Sequence, residues 1–119
     1  MDITKTPRDD CYSIQFTVKE EGKKVAWGFL VVISNDRHAE SYGLLENVYV
    51  EPEFRGRGIG TKLLQEIIAE AKRIGCYKLL GQSRYGKENV HDLYLSLGFK
   101  DHGKNFRMDL KESPIRQQD

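Results

Sequence analysis

Residues 46 to 81 read as a strand, a glycine-rich turn, one long amphipathic helix and a second short strand, and few folds accommodate that succession. The strand-like run is Glu46-Asn47-Val48-Tyr49-Val50. In the helix, Ile59, Leu63, Leu64, Ile67, Ile68, Ala71 and Ile74 recur every three to four residues. Lys72 and Arg73 complement the dipole of its last turn, and Gly75 stops it. Lys78 to Gly81 is a short strand. A strand–helix–strand unit closes by a right-handed crossover, so this strand is expected to lie parallel to the one ending at Val50.

The segments on either side complete an α/β (α+β) architecture. Tyr12 to Lys19 alternates, with Tyr12, Ile14, Phe16 and Val18 on one face of a half-buried strand. Glu21-Gly22-Lys23 is a turn, and Val25 to Ser34 is apolar enough for a central strand. With Tyr42–Val50 these make an antiparallel meander. A second helix is expected from about Glu88 to Leu97, stopped by Gly98. Phe99–Asp101 and Asn105–Leu110 would then close the sheet as a hairpin. The expectation is a mixed, mostly antiparallel twisted sheet of about six strands with two main helices. Residues 1–119 form one domain, and residues 1–10 and 113–119 are expected to be frayed.

Composition removes several classes of function. Lys and Arg total 19 against 18 Asp and Glu, so no global basic field invites nucleic acid. The longest apolar run, Phe29 to Ile33, is far too short to span a bilayer. No charged-then-apolar start points to export, so the expectation is a cytoplasmic chain. Cys11 and Cys76 belong to no Cys-x-x-Cys or Cys/His cluster. They read as free thiols, with no metal implied.

The turn Arg55-Gly56-Arg57-Gly58-Ile59-Gly60 carries the chemistry. A glycine-rich turn feeding a helix presents unpaired N–H groups and the positive end of the helix dipole, which together suit phosphate. Arg55, Arg57 and Lys62 add mobile positive charge. A triphosphatase loop would need Gly-Lys-Ser/Thr, whereas this chain has Gly60-Thr61-Lys62. A dinucleotide fingerprint would need glycine where Thr61 stands. The remaining pattern, Arg-x-x-Gly-x-Gly on Arg55, Gly58 and Gly60, resembles the coenzyme A pyrophosphate loop of the GNAT N-acetyltransferase superfamily. Tyr94-Leu95-Ser96-Leu97-Gly98-Phe99 is similar to that superfamily's Tyr-x-x-x-Gly-Phe signature. Val48-Tyr49-Val50-x-Pro52 resembles its thioester-arm strand. Gly75-Cys76-Tyr77-Lys78 looks like members that include the glucosamine-phosphate acetyltransferases. The resemblance runs from Glu46 to Leu110.

The resemblance implies transfer of an acetyl group from acetyl-CoA, as co-substrate, to a primary amine of a small molecule or peptide. By the same resemblance, Arg55, Gly56, Arg57, Gly58, Ile59, Gly60 and Thr61 would hold the pyrophosphate. The backbone of Val48, Tyr49 and Val50 would hold the pantetheine arm in the gap where the two parallel strands diverge, and an N–H there would polarise the acetyl carbonyl. Tyr94 would be the general acid, since a phenol of pKa about 10 keeps its proton at neutral pH. Glu46 would be the base, through water, because the family's earlier glutamate position is Leu44 here. Asn89 is a coenzyme contact at an irregular spacing from Tyr94, or a helix cap. His91 reads as a solvent-facing helix residue. Arg84, Tyr85, His102 and Arg107 around the C-terminal region read either as contacts for an anionic acceptor or as scattered surface charge without function. Family members usually carry a strand and two helices ahead of the first strand seen here, which leaves the acceptor side reduced. The exposed edge of the meander favours a homodimer. Two other readings stay open: a coenzyme A sensor without turnover, and a nucleic-acid or partner-binding module built on Arg55, Arg57 and Lys62.

Overall fold

The computed structural model describes residues 1–83 and 88–112. The chain divides into two compact units, Met1–Gly81 and Gln82–Asp119. The first holds a four-stranded sheet in the order β1-β2-β3-β4. Its strands are β1 (Tyr12–Glu20), β2 (Lys23–Ile33), β3 (Tyr42–Val50) and β4 (Leu79–Leu80). One long helix, α1 (Ile59–Ile74), crosses between β3 and β4. β1, β2 and β3 pair antiparallel as a meander, and β4 lies parallel to β3 as the crossover requires.

Local chemistry explains each boundary. Glu21 and Gly22 both have positive φ, 51° and 79°, the conformation a two-residue hairpin needs between Glu20 and Lys23. At the end of α1, Gly75 has φ 95°; its N–H donates to Lys72 while Cys76 N–H donates to Ala71. That is a Schellman cap, satisfying carbonyls the helix would leave orphaned.

The core lies between α1 and one face of the sheet. Leu63, Leu64, Ile67 and Ala71 of α1 are buried. Across from them β2 contributes Ala26, Leu30 and Val32, each 0–1% exposed. Burial of a side chain the size of Leu30 or Ile67 contributes about 1.5–3 kcal/mol. Packing is tight: a Cβ on Gly28 would lie 3.2 Å from Ile67 Cδ1 and 3.3 Å from Val48 Cγ2. On Gly43 it would lie 2.9 Å from both Leu30 and Leu79, so these glycines let the helix and β4 close in.

One irregularity decides how β3 faces the helix. Phe29 opposes Glu46 and Trp27 opposes Tyr49, so β3 spends one residue more than β2 between those pairs. Asn47 sits at φ 48° within this bulge, a left-handed conformation asparagine tolerates. The extra residue switches parity. Gly43 and Leu45 look toward the helix before the bulge; Val48 and Val50 do so after it.

In the second unit the one helix of the described residues is α2 (Glu88–Ser96). Gly98 has φ 102° and donates to Leu95, while Phe99 N–H donates to the Tyr94 carbonyl. This too is a Schellman cap, with the Tyr94 and Phe99 rings in contact at 5.2 Å. The expected closing hairpin is absent: residues 99–110 carry no strand, so the sheet has four strands rather than about six. Alternation alone makes no strand without a ladder to join, and Phe106, Met108 and Leu110 remain exposed. At the other terminus residues 1–9 carry no regular structure, yet Arg8 is held by Asp36 (2.9 Å) and Asp10.

Candidate functional site

The turn between β3 and α1 is organised by its own backbone. Pro52 opens a 3-10 turn, Pro52–Phe54, whose fixed φ suits a first helical position. Arg55 Nε donates to the Val50 carbonyl at 2.9 Å, and its guanidinium lies 5.3 Å from the Tyr49 ring centre. Arg57 stacks over Phe54 at 5.0 Å, and Lys62 pairs with Glu66 at 3.4 Å. Each of the three cations therefore has a local partner, Arg55 and Arg57 in the strand and turn and Lys62 within α1. Arg55 in particular locks the end of β3 to the loop.

Gly56 and Gly58 have φ 78° and 81°, and a Cβ on either would meet nothing within 4 Å. The backbone conformation, not protein crowding, demands glycine there, and the space in front of them is open. Gly58 caps α1 with no side-chain hydrogen bond. Among the described residues, the amides of 56 to 61 donate to no protein acceptor; the first helical bond is Lys62 N–H to Gly58 at 3.0 Å. Six successive unpaired donors with a helix dipole behind them are chemically suited to an anion. Gly60 is half-buried, and a Cβ there would meet Val50 Cγ2 at an ordinary 3.6 Å.

Beside the cradle lies an open strand edge. β3 pairs with β4 only at Gly43↔Leu79 and Leu44↔Leu80. From Leu45 to Val50 that side of β3 has no strand neighbour among the described residues, while its other side is held by β2. An extended amide-bearing arm can add there as a further strand. The bulge at Asn47 interrupts the ladder in this stretch and was not foreseen. Its signal was the polar pair Glu46-Asn47 set between apolar residues of opposite parity.

Glu46 is exposed on β3 within the same stretch. The first unit thus brings together Glu46, Val48, Tyr49, Val50, Arg55, Gly56, Arg57, Gly58, Ile59, Gly60 and Thr61 on one strand–turn–helix path. Tyr94 and Asn89 stand on α2 in the second unit. Burial pushes the Tyr94 phenol above the ordinary tyrosine pKa, which keeps it protonated. Asn89 is exposed, whereas His91 is half-buried rather than solvent-facing. His102 is exposed, and Arg107 is paired with Asp109 at 2.8 Å. Arg84 and Tyr85 lie outside the described residues. Cys11 and Cys76 are free thiols. Among the described residues no group of three or more His, Cys, Asp or Glu side chains could hold a metal ion, and no helix is long and apolar enough to cross a membrane.

Known proteins share this fold. The family model of the GNAT acetyltransferase domain matches residues 12–101. Glucosamine 6-phosphate N-acetyltransferase of Trypanosoma brucei brucei is 34% identical over 74 residues, covering 62% of this chain and 48% of that protein. An aminoglycoside N(6')-acetyltransferase type 1 of Stenotrophomonas maltophilia is 32% identical over 81 residues, covering 66% and 53%. The chain thus spans about half the length of these curated relatives. Among solved structures, a putative acetyltransferase from Agrobacterium tumefaciens str. C58 superposes with a TM-score of 0.76 at 31% identity, covering 82% of this chain and 68% of that one.

Proposed function

The chain belongs to the GNAT acetyltransferase family, and from that premise we propose that it transfers the acetyl group of acetyl-CoA to a primary amine. In this reading residues 1–119 act as one catalytic domain. The observation that carries it is the adjacency of two features among the described residues: six unpaired amides, 56 to 61, leading into α1, and an open edge along the last residues of β3. One suits a diphosphate and the other suits the amide-bearing arm attached to it, in the order coenzyme A requires.

Acetyl-CoA supplies an activated thioester carbonyl. The chain's residues must then bind it, deprotonate the amine and stabilise the charge that develops. Amides 56–61 anchor the diphosphate, with Arg55 and Arg57 bordering it. Backbone N–H groups of the strand at Val48 and Val50 hold the arm and polarise the carbonyl oxygen, where negative charge grows. An ammonium has no lone pair, so a base must take its proton first. Glu46 does so through water, a role its exposure to solvent permits. Tyr94 gives its proton to the departing sulfur. A phenol whose pKa burial has raised stays protonated until that charge appears. Asn89 contributes a polar contact to the coenzyme. The acceptors named for the relatives, an amino-sugar phosphate and an aminoglycoside, point to a small polyhydroxylated amine as the first class to try.

The test is release of free coenzyme A thiol from acetyl-CoA with a panel of amino sugars, aminoglycosides, polyamines and peptides. Turnover that vanishes in Gly58→Glu, together with coenzyme binding, supports the proposal. Tight coenzyme binding without turnover on any amine assigns a sensor role instead. Steeply salt-dependent nucleic-acid binding that ignores coenzyme A would overturn both.

A further inference from the structure

α1 packs on one face of the sheet, and a row of residues on the other face has chemistry of its own. A Cβ on Gly28 would meet Ile67 and Leu63 of α1, so Phe29, next along β2, points to the opposite face. Gln15 of β1 and Glu46 of β3 are the residues directly opposite Phe29 on its two neighbouring strands. Opposed residues share a face, so Gln15, Phe29 and Glu46 form one row across the meander. Each step across an antiparallel pair is about 4.5–5.5 Å, which sets the Gln15 and Glu46 Cα atoms about 10 Å apart with Phe29 between them.

Phe29 is half-buried, while Gln15 and Glu46 are exposed. Among the described residues neither of these polar side chains makes a hydrogen bond or an ion pair. A half-open ring with an amide at one end and a carboxylate at the other has the make-up of a small-molecule site, an apolar floor with a few spaced polar groups. The next row toward the phosphate turn carries the opposite charge. Trp27 opposes Tyr49 there; Lys24 Nζ lies 4.5 Å from the Trp27 ring centre and the Arg55 guanidinium 5.3 Å from that of Tyr49. An ammonium is therefore attracted at Glu46 and repelled one row further on. A polyamine reaching from Glu46 toward that row sets its second ammonium against two cations. Reaching toward Gln15, it meets no anion. A hexosamine satisfies the row as it stands, with its amine at Glu46, the apolar side of its ring over Phe29 and a far hydroxyl at the Gln15 amide.

Resting on the acetyltransferase reading above, we infer that this row seats the acceptor, that the acceptor is an amino sugar, and that Gln15 selects it by a hydroxyl. Glu46 takes the ammonium proton through water, nitrogen adds to the thioester carbon, and the C–S bond then breaks. Nitrogen sheds its second proton as sulfur gains one.

The experiment follows thiol release from acetyl-CoA by the full chain with glucosamine, cyclohexylamine and 1,4-diaminobutane. Cyclohexylamine has the ring without the hydroxyls, and the diamine has the charge without the ring. The wild type is expected to prefer glucosamine by kcat/KM. Gln15→Leu raises KM for glucosamine about fivefold, the worth of one neutral hydrogen bond, with kcat little changed. The preference for glucosamine over cyclohexylamine falls by the same factor. Gln15→Glu sets a second carboxylate across Phe29 from the first and lowers KM for the diamine about threefold. Gln15 is exposed, so both variants are expected to melt as the wild type does. A glucosamine KM unmoved by Gln15→Leu, an equal rise for cyclohexylamine, or a wild type that prefers the diamine overturns this assignment and leaves the transferase reading standing. No turnover with any amine overturns both.

Discussion

Met1–Gly81 and Gln82–Asp119 are built from similar signals with different outcomes. In the first unit the central strand and the long helix bury each other's apolar faces, and Leu30 and Ile67 are both fully buried. In the second, Phe106, Met108 and Leu110 alternate as cleanly as Ile14, Phe16 and Val18 do in β1, yet they lie open. A pattern specifies a strand only when a partner ladder is within reach. β1 finds β2 across a two-residue turn, whereas Phe99–Asp101, the neighbour expected for Asn105–Leu110, forms no strand.

The contrast is tested most strongly by deletion. Ile67→Ala is expected to cost about 2–5 kcal/mol in urea unfolding, while Phe106→Ala in dilute solution should stay within about 0.5 kcal/mol. Comparable losses at both sites would erase the distinction between a packed unit and an open segment.

Next in size is an effect on catalysis. Tyr94→Phe should lower turnover about 100-fold and leave coenzyme affinity unchanged; an unaltered rate removes Tyr94 as the acid. The same residue has a pH signature. Its folded-state pKa is raised by burial, so its contribution is complete below the ordinary tyrosine pKa of 10.0 and is lost as pH rises through the higher folded value. Wild-type stability should fall above that pH more steeply than that of Tyr94→Phe, as followed by thermal melts.

The phosphate turn separates folding from binding. Gly58→Ala places a Cβ at φ 81° and is expected to destabilise by about 1 kcal/mol. Gly60→Ala meets only an ordinary contact with Val50, so melts should be unchanged or slightly raised. Calorimetry should nevertheless show weaker coenzyme binding in Gly60→Ala. Unchanged affinity would mean the ligand does not approach that backbone.

The smallest effect is at the N-terminal tether. The Arg8 guanidinium, by hydrogen bonding, holds the Asp36 and Asp10 carboxyls below their ordinary range. Their contribution is present above the ordinary aspartate pKa and lost as pH falls through the lowered values. All three groups are solvent-exposed, so Arg8→Ala should barely shift the acid-unfolding midpoint, and a large shift would show that residues 1–10 are part of the core assembly.

The sequence made most of this legible because its signals were local. The boundaries of β3 and α1, the stop at Gly75 and the parallel placement of β4 all follow from periodicity, a cap and a chirality rule. Tyr94-x-x-x-Gly98-Phe99 was visible for a reason the structure supplies. Its spacing is that of a Schellman cap, in which the third residue from the helix end meets the second one beyond it. The tethering of Arg55 to Val50 and the bulge at Asn47 were hidden, because both depend on how β3 registers against β2. The closing hairpin was misread because alternation does not show whether a ladder is there to join.

The single inserted residue in β3 divides that strand into two stretches that can change independently. At Gly43 and Leu44, upstream of Asn47, substitutions are answered by both β2 and β4 and should register as altered stability. Downstream, one margin of the ribbon answers to nothing in its own sheet, so variation there is released to follow whichever molecule lies alongside. Removing Asn47 would knit the ladder back together and leave Val48 and Val50 facing the helix, so the bulge bends this margin of the strand without being needed to bury those two side chains.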